Sequence, residues 1–271
     1  MKNQVLLICF IEFFVVKYLK QTEFGEEKMK FIILDEEALI VNDTLSEENI
    51  ESLKAFIKAG IEVAVLTHKS YYEIKKYFNR VLHGITFVCD DGGMVIKNGV
   101  LYHMGVIDRK TFGEFAAIAS RLKDSELYLT LKEKAIKIVG ENAGSMVSVK
   151  EEISKITMYS ENSGAAFLDI TPNLHKNNLR ISYYNENVLE MTEINSTRVA
   201  AAEMLLRRFG LFKHETVAFL ANDASIGLLN LFKDVTVDKA SSIELKKTGA
   251  KIVESLEAEL MELSKQYIKQ S

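Results

Sequence analysis

Four short runs of uninterrupted apolar residues each give way at once to polar ones: Phe31-Ile32-Ile33-Leu34, Val63-Ala64-Val65-Leu66, Phe87-Val88-Cys89 and Val217-Ala218-Phe219-Leu220-Ala221. Strands that alternate polar and apolar residues keep one face in water. A run with no alternation is buried on both faces, which is the situation in a parallel sheet covered by helices. A helix lies between the first two runs. Ser46 can cap it, Glu47 and Glu48 sit in its first turn, Ile50, Leu53, Phe56 and Ile57 recur at helical spacing, and Gly60 stops it. A second helix follows Thr67 and runs to about Asn79. Strands and helices in this alternation predict a doubly wound α/β sheet. With 271 residues, 48% of them hydrophobic, the chain has the apolar content to bury such a core.

From Met94 the rhythm changes. MVIKNGVLYH reads as a hairpin turning at Asn98-Gly99. Phe112 to Leu122 has the pattern of an amphipathic helix, and Leu127 to Val139 that of strands around a turn. A helix is expected over Val149 to Ile153, and strands over Lys155 to Tyr159 and Leu179 to Tyr183. This less regular stretch predicts an inserted α+β domain over residues 95–188, dividing a core made of 29–94 and 189–271. A helix from Ser196 to Phe209, ended by Gly210, resumes the core. Ile252, Leu256, Leu260, Leu263 and Tyr267 form one apolar stripe on a final helix, expected to dock on the sheet.

Residues 5–19 read VLLICFIEFFVVKYL. That falls short of the roughly 20 apolar residues of a membrane span, contains Glu12 and Lys17, and lacks a small-residue cleavage site behind it. Residues 1–28 are therefore expected to be an extension outside the fold, and membrane association is not expected. With 34 Lys+Arg against 38 Asp+Glu the net charge is −4, which excludes nucleic-acid binding through a basic surface. Cys9 and Cys89 have no paired spacing; neither a disulfide scaffold nor a cysteine metal site is expected, and a cytoplasmic location is.

In open α/β sheets ligands bind beyond the carboxyl ends of the strands. Those positions hold Asp35, Thr67, Asp90-Asp91 and Asn222-Asp223. Asp35 and Glu37, two residues apart, suit a nucleophile and a general acid, or, with Glu36 between them, a solvated acidic loop. Thr67, with Lys69 and Ser70 at a helix start, suits an anion.

These residues resemble the haloacid dehalogenase-like superfamily, in the Cof-type branch of phosphatases with a large α+β cap. The strand FIIL followed by Asp35-Glu36-Glu37-Ala38-Leu39 resembles the family's Asp-x-Asp-Gly-Thr; Thr67 in VAVLTHKS matches its second motif; Asp91-Gly92 stands at its Asn-Gly. LEMTEINSTRV places Arg198 at the family's lysine. The resemblance implies a phosphatase of small phosphorylated metabolites, with Asp35 as nucleophile, Glu37 as acid/base, Thr67 and Arg198 on the phosphate, and Mg²⁺ held by Asp35 and a final acidic loop. Here the sequence departs from the pattern. Glu37 is one methylene longer than the family's Asp, and the two loop acids fall on Ala221 and Ser225, with Asn222 and Asp223 as the available substitutes. Mg²⁺ prefers hard oxygen ligands carrying carboxylate charge. Standard Mg²⁺-dependent hydrolysis is therefore expected to be weak or lost, and the alternative is a non-catalytic binder of a phosphorylated ligand or a partner.

Overall fold

In a computed structural model, residues 28–119, 125–138, 151–161, 163–247 and 250–268 are described. The core begins with β1 (Phe31–Asp35), a short hairpin β2 (Ile40–Val41) and β3 (Thr44–Leu45), and helix α1 (Glu47–Lys58). Ser46 Oγ accepts the Asn49 N–H at 3.1 Å, the predicted cap. β4 (Glu62–Leu66), the single-turn helix α2 (Tyr71–Ile74), β5 (Ile85–Cys89), β6 (Met94–Lys97) and β7 (Val100–Met104) follow. The middle of the chain supplies α3 (Arg109–Ala119), β8 (Ser125–Thr130), β9 (Ala135–Ile138), β10 (Lys155–Ser160), α4 (Ser163–Lys176), β11 (Leu179–Tyr184) and β12 (Val188–Glu193). The chain closes with α5 (Arg198–Phe209), β13 (Thr216–Leu220), β14 (Asp234–Asp238), α6 (Ile243–Lys246), β15 (Lys251–Val253) and α7 (Leu256–Ile268).

The core sheet has the order β15-β14-β13-β1-β4-β5-β6-β7, parallel from β15 through β5. Every residue of β1 and of β5 is buried, as their unbroken apolar runs require. Alternate side chains pack on opposite faces. Ile32, Leu34, Val63 and Val65 join Leu53 and Phe56 of α1 and Leu256 and Leu260 of α7; Phe31, Ile33, Ala64 and Leu66 join Ala201, Ala202 and Leu205 of α5. This is the doubly wound sheet, and the final helix docks on it through Leu256, Leu260, Leu263 and Tyr267 of the predicted stripe; Ile252, read as the first residue of that stripe, lies instead on β15 and is exposed.

A second, antiparallel sheet, β11-β12-β10-β8-β9, buries Leu127, Leu129, Ile156, Met158, Leu189 and Met191 against Phe115 of α3 and Ile170 and Leu174 of α4. Its other face is polar and turns toward the core. The hairpin β6–β7 pairs with β5 in the core sheet, while β12 lies in the second sheet. On this pairing we propose that the insert runs from about residue 105 to 193, in place of 95–188. Two elements of the insert differ from expectation. No helix forms at 151–153, where Ile153 instead bridges Ile107, and residues 139–150 lie outside the described set. The 14-residue helix α4 had no sequence reading; Pro172 lies inside it. The apolar 5–19 segment and Cys9 also lie outside the described residues. Among the described residues no helix is long and apolar enough to cross a membrane.

Candidate active site

The carboxyl ends of β1, β4, β5 and β13 bring Asp35, Thr67, Asp90-Asp91 and Asn222 together, as the strand pattern required. Asp35 is fully buried. Its Oδ1 accepts from Arg198 Nη1 (2.9 Å) and from the Ser225 hydroxyl (2.6 Å), and its Oδ2 accepts from the amides of Ala221 (2.8 Å) and Asn222 (2.9 Å). Arg198, also buried, donates through Nε to Asp91 Oδ1 (2.7 Å) and through Nη1 to Ser225 Oγ (2.9 Å), while its Nη2 has no partner. Burial pushes the Asp35 carboxyl above its ordinary value against the pull of Arg198, Ser225 and the Asn222 amide. Burial would lower Arg198, but the Asp35 and Asp91 carboxylates drive it upward.

Backbone geometry at the end of β5 makes this possible. Asp90 (φ +51°), Asp91 (φ +52°) and Gly92 (φ +100°) are all left-handed. A Cβ on Gly92 would lie 2.2 Å from the Thr197 carbonyl oxygen, so only glycine lets this turn approach the start of α5. That approach sets the Asp91 carboxylate beside Arg198, the first residue of α5.

The acidic run at the end of β1 is not a solvated loop. Glu36, not Glu37, is the buried member. Its carboxylate accepts from the Thr67 hydroxyl and from the Lys69 ammonium, and His68 Nδ1 lies 3.8 Å away. Thr67 Oγ1 in turn accepts the Lys69 N–H at 2.9 Å. The hydroxyl and cation expected to hold a phosphate thus hold the protein's own carboxylate. Burial raises Glu36, opposed by its bonds to Lys69 and Thr67. Glu37 is exposed, and its Oε1 accepts from Asn222 Nδ2 at 2.8 Å. Asn222 Oδ1 accepts the Ala224 N–H, so that oxygen is committed to the turn.

The insert closes over this end of the sheet. Lys155, fully buried on β10, donates to the His68 carbonyl (2.8 Å) and to Glu190 Oε1 on β12 (3.0 Å), and lies 3.2 Å from Asp90 Oδ1. The Ser154 hydroxyl donates to Asp90 Oδ2 at 2.9 Å. Arg180 on β11 donates to the carbonyls of Asp91 and Ser196, and Tyr183 stacks on His68 at 4.6 Å. Burial lowers His68 to about 4, helped by Lys155 and Lys69, and raises Glu190 to about 7. Sequence reasoning did not find Lys155, Glu190 or the inward Glu36; a lysine opening an otherwise apolar strand was the available signal at position 155.

The residues at Asp35 do not fit Mg²⁺. Four donors already face its two oxygens, a guanidinium stands beside it, and Ala221 and Ser225 bring no carboxylate. Neither proposed substitute repairs this: Asn222 is spent on the turn, and Asp223 lies on an exposed turn. Among the described residues Glu36, Glu37 and His68 place possible ligand atoms within 4.8 Å of one another. Both Glu36 oxygens there are already taken by Thr67 and Lys69.

A family model for haloacid dehalogenase-like hydrolases matches residues 34–253, from the end of β1 to the end of β15. A search of curated proteins gives no match. Among solved structures, a haloacid dehalogenase-like hydrolase from Bacteroides thetaiotaomicron is 13% identical with a TM-score of 0.76, covering 90% of this chain and 100% of its own. One from B. subtilis is 14% identical with a TM-score of 0.73, covering 88% and 99%. A sugar phosphatase of subclass IIB of the same superfamily is 12% identical with a TM-score of 0.68, covering 88% and 99%. The sheet order, the capping insert and the match over residues 34–253 agree, and the chain belongs to the haloacid dehalogenase-like hydrolases.

Proposed function

We propose that this chain has exchanged metal-dependent phosphate hydrolysis for ligand binding, with Asp35 turned from a nucleophile into the anchor of an internal ion-pair network. The observation that carries this reading is the saturation of Asp35: two donors face each oxygen, one of them the buried Arg198 guanidinium. A carboxylate attacks phosphorus through a free lone pair. Releasing one here breaks a charge-assisted hydrogen bond worth about 1.5–3 kcal/mol, which leaves on the order of 1–8 per cent of molecules competent. Removing one stabilising group from a transition state costs about 10²–10³ in rate, and this site lacks the loop carboxylates as well.

Glu36 acts in the same direction. A phosphoryl group reaching Thr67 and Lys69 has to displace a carboxylate already bound there. Glu37 is held by Asn222, away from any hydroxyl partner of its own, and retains the reach of an exposed acid without a positioned task.

The test is phosphate release from sugar phosphates, nucleotides and a chromogenic phosphate ester, with and without Mg²⁺, beside Asp35→Asn. We expect turnover indistinguishable from the variant. Metal-stimulated release that disappears in Asp35→Asn refutes the reading and restores a small-metabolite phosphatase. That the ligand bound without turnover is phosphorylated draws support from Arg198 Nη2, a buried donor without a partner. Calorimetric titration with glucose 6-phosphate decides it, and no heat of binding counts against it.

A further inference from the structure

A pocket of about 320 Å³ opens between α2 and the polar face of the capping sheet. It shares no lining residue with the Asp35 network. Three carboxylates, Glu73, Glu126 and Glu190, and three tyrosines, Tyr72, Tyr128 and Tyr159, face one cation, Lys155. Its size is that of a site for a single small metabolite.

The cation offers nothing to an anion. Lys155 Nζ is already surrounded by the His68 carbonyl, Glu190 Oε1 and Asp90 Oδ1. Acceptors, in contrast, are left over. Glu190 is 8% exposed, and while its Oε1 takes the Lys155 bond, its Oε2 accepts nothing. A buried carboxylate oxygen without a donor is costly, and a donor supplied by a ligand removes that cost. Glu73 uses only Oε2, for the amide and hydroxyl of Ser70. Burial disfavours its charge, but those bonds and Lys155 hold it below its ordinary value, so it stays ionised. Glu126 at the rim is balanced by Lys137 and Tyr128. The pocket therefore presents unsatisfied acceptors and net negative charge, with three tyrosines in its lining.

We propose that this pocket binds a small organic cation, a primary ammonium on a hydroxylated scaffold of monosaccharide size, with the ammonium between Glu190 and Glu73 and the hydroxyls toward the tyrosines. The site is independent of any turnover at Asp35.

The probe is glucamine, with sorbitol as its neutral isostere, sorbitol 6-phosphate as the anionic control and putrescine as a cation without hydroxyls. Each is titrated calorimetrically into the full chain at pH 8. Glucamine is expected to bind at least about tenfold tighter than sorbitol, with putrescine in between, and Glu190→Gln to weaken it at least about tenfold. Glu126→Gln, an exposed rim change that leaves the core untouched, should weaken it about threefold, and so keeps the test decisive if Glu190→Gln folds poorly. Equal binding of sorbitol, tighter binding of sorbitol 6-phosphate, or no binding of either amine overturns the proposal. None of these readouts uses phosphate release, so a surviving phosphatase activity and an empty pocket are told apart.

Discussion

Asp35→Asn separates a structural carboxylate from a catalytic one by stability alone. An amide has one acceptor and one donor end. Here both ends of the carboxylate are met by donors: Arg198 and Ser225 at Oδ1, the amides of Ala221 and Asn222 at Oδ2. Whichever way the Asn is turned, its NH₂ faces two hydrogens. Either way Arg198 keeps only Asp91 as a charge partner, and if the NH₂ faces Oδ2's partners the half-buried amides of Ala221 and Asn222 lose their acceptor as well. Breaking a buried ion pair by removing one partner costs about 3–5 kcal/mol, and at roughly 2–4 °C per kcal/mol for a chain near this size the melting temperature should fall by about 6–20 °C. Urea unfolding followed by circular dichroism measures the loss, with scanning calorimetry as a second method. A variant as stable as the wild type, or more so, would show that Asp35 is held at a cost to the fold, as a nucleophile is, and would sink the argument that the network replaced catalysis.

Glu36→Ala should free Thr67 and Lys69, and orthophosphate titrated calorimetrically should bind the variant at least about tenfold tighter than the wild type; equal affinity would mean that the carboxylate blocks nothing. Gly92→Ala should cost more than about 3 kcal/mol or abolish soluble expression, because a left-handed φ and a 2.2 Å contact with a backbone carbonyl cannot both be relieved; a well-folded variant refutes the close approach. Glu190 and His68 act oppositely on the pH profile of stability. Glu190, raised to about 7 from 4.5, contributes stability that is present below pH 4.5 and is lost as pH rises through 7. His68, lowered to about 4 from 6.5, contributes stability that is present above pH 6.5 and is lost as pH falls through 4. Each shift is worth about 3 kcal/mol in full, so between pH 5 and 6.5 they largely cancel. In Glu190→Gln stability should rise with pH across that window by about 2 kcal/mol relative to the wild type, and in His68→Asn it should fall by a similar amount; parallel urea-unfolding profiles for all three proteins refute the assignment.

The sheet was legible from the residues because an unbroken apolar run has only one comfortable environment, a strand covered on both faces, and four such runs fix where the carboxyl ends meet. Asp35 and Thr67 stood out for the same reason, each following directly on such a run, whereas Arg198 was singled out only by the resemblance of LEMTEINSTRV to the family's lysine motif. The hairpin β6–β7 read correctly as two strands, but not as part of the core sheet, since Asn98-Gly99 specifies a turn and not the neighbour its strands will pair with. Helix α4 was invisible because Pro172 mutes its local signal while packing of Ile170 and Leu174 under the second sheet holds it.

The direction of Glu36 lay beyond reach of the sequence. Three consecutive residues, Asp35, Glu36 and Glu37, carry the same charge, and nothing in their order says which carboxylate finds Thr67 and Lys69 and which stays in solvent. That choice depends on donors more than thirty residues away in the chain, as does the meeting of Lys155 with Glu190, Asp90 and the His68 carbonyl across the two sheets. Local patterns record burial and periodicity. The partners of a buried charge are set by the folded backbone, which alone decides which donors arrive at the same point in space.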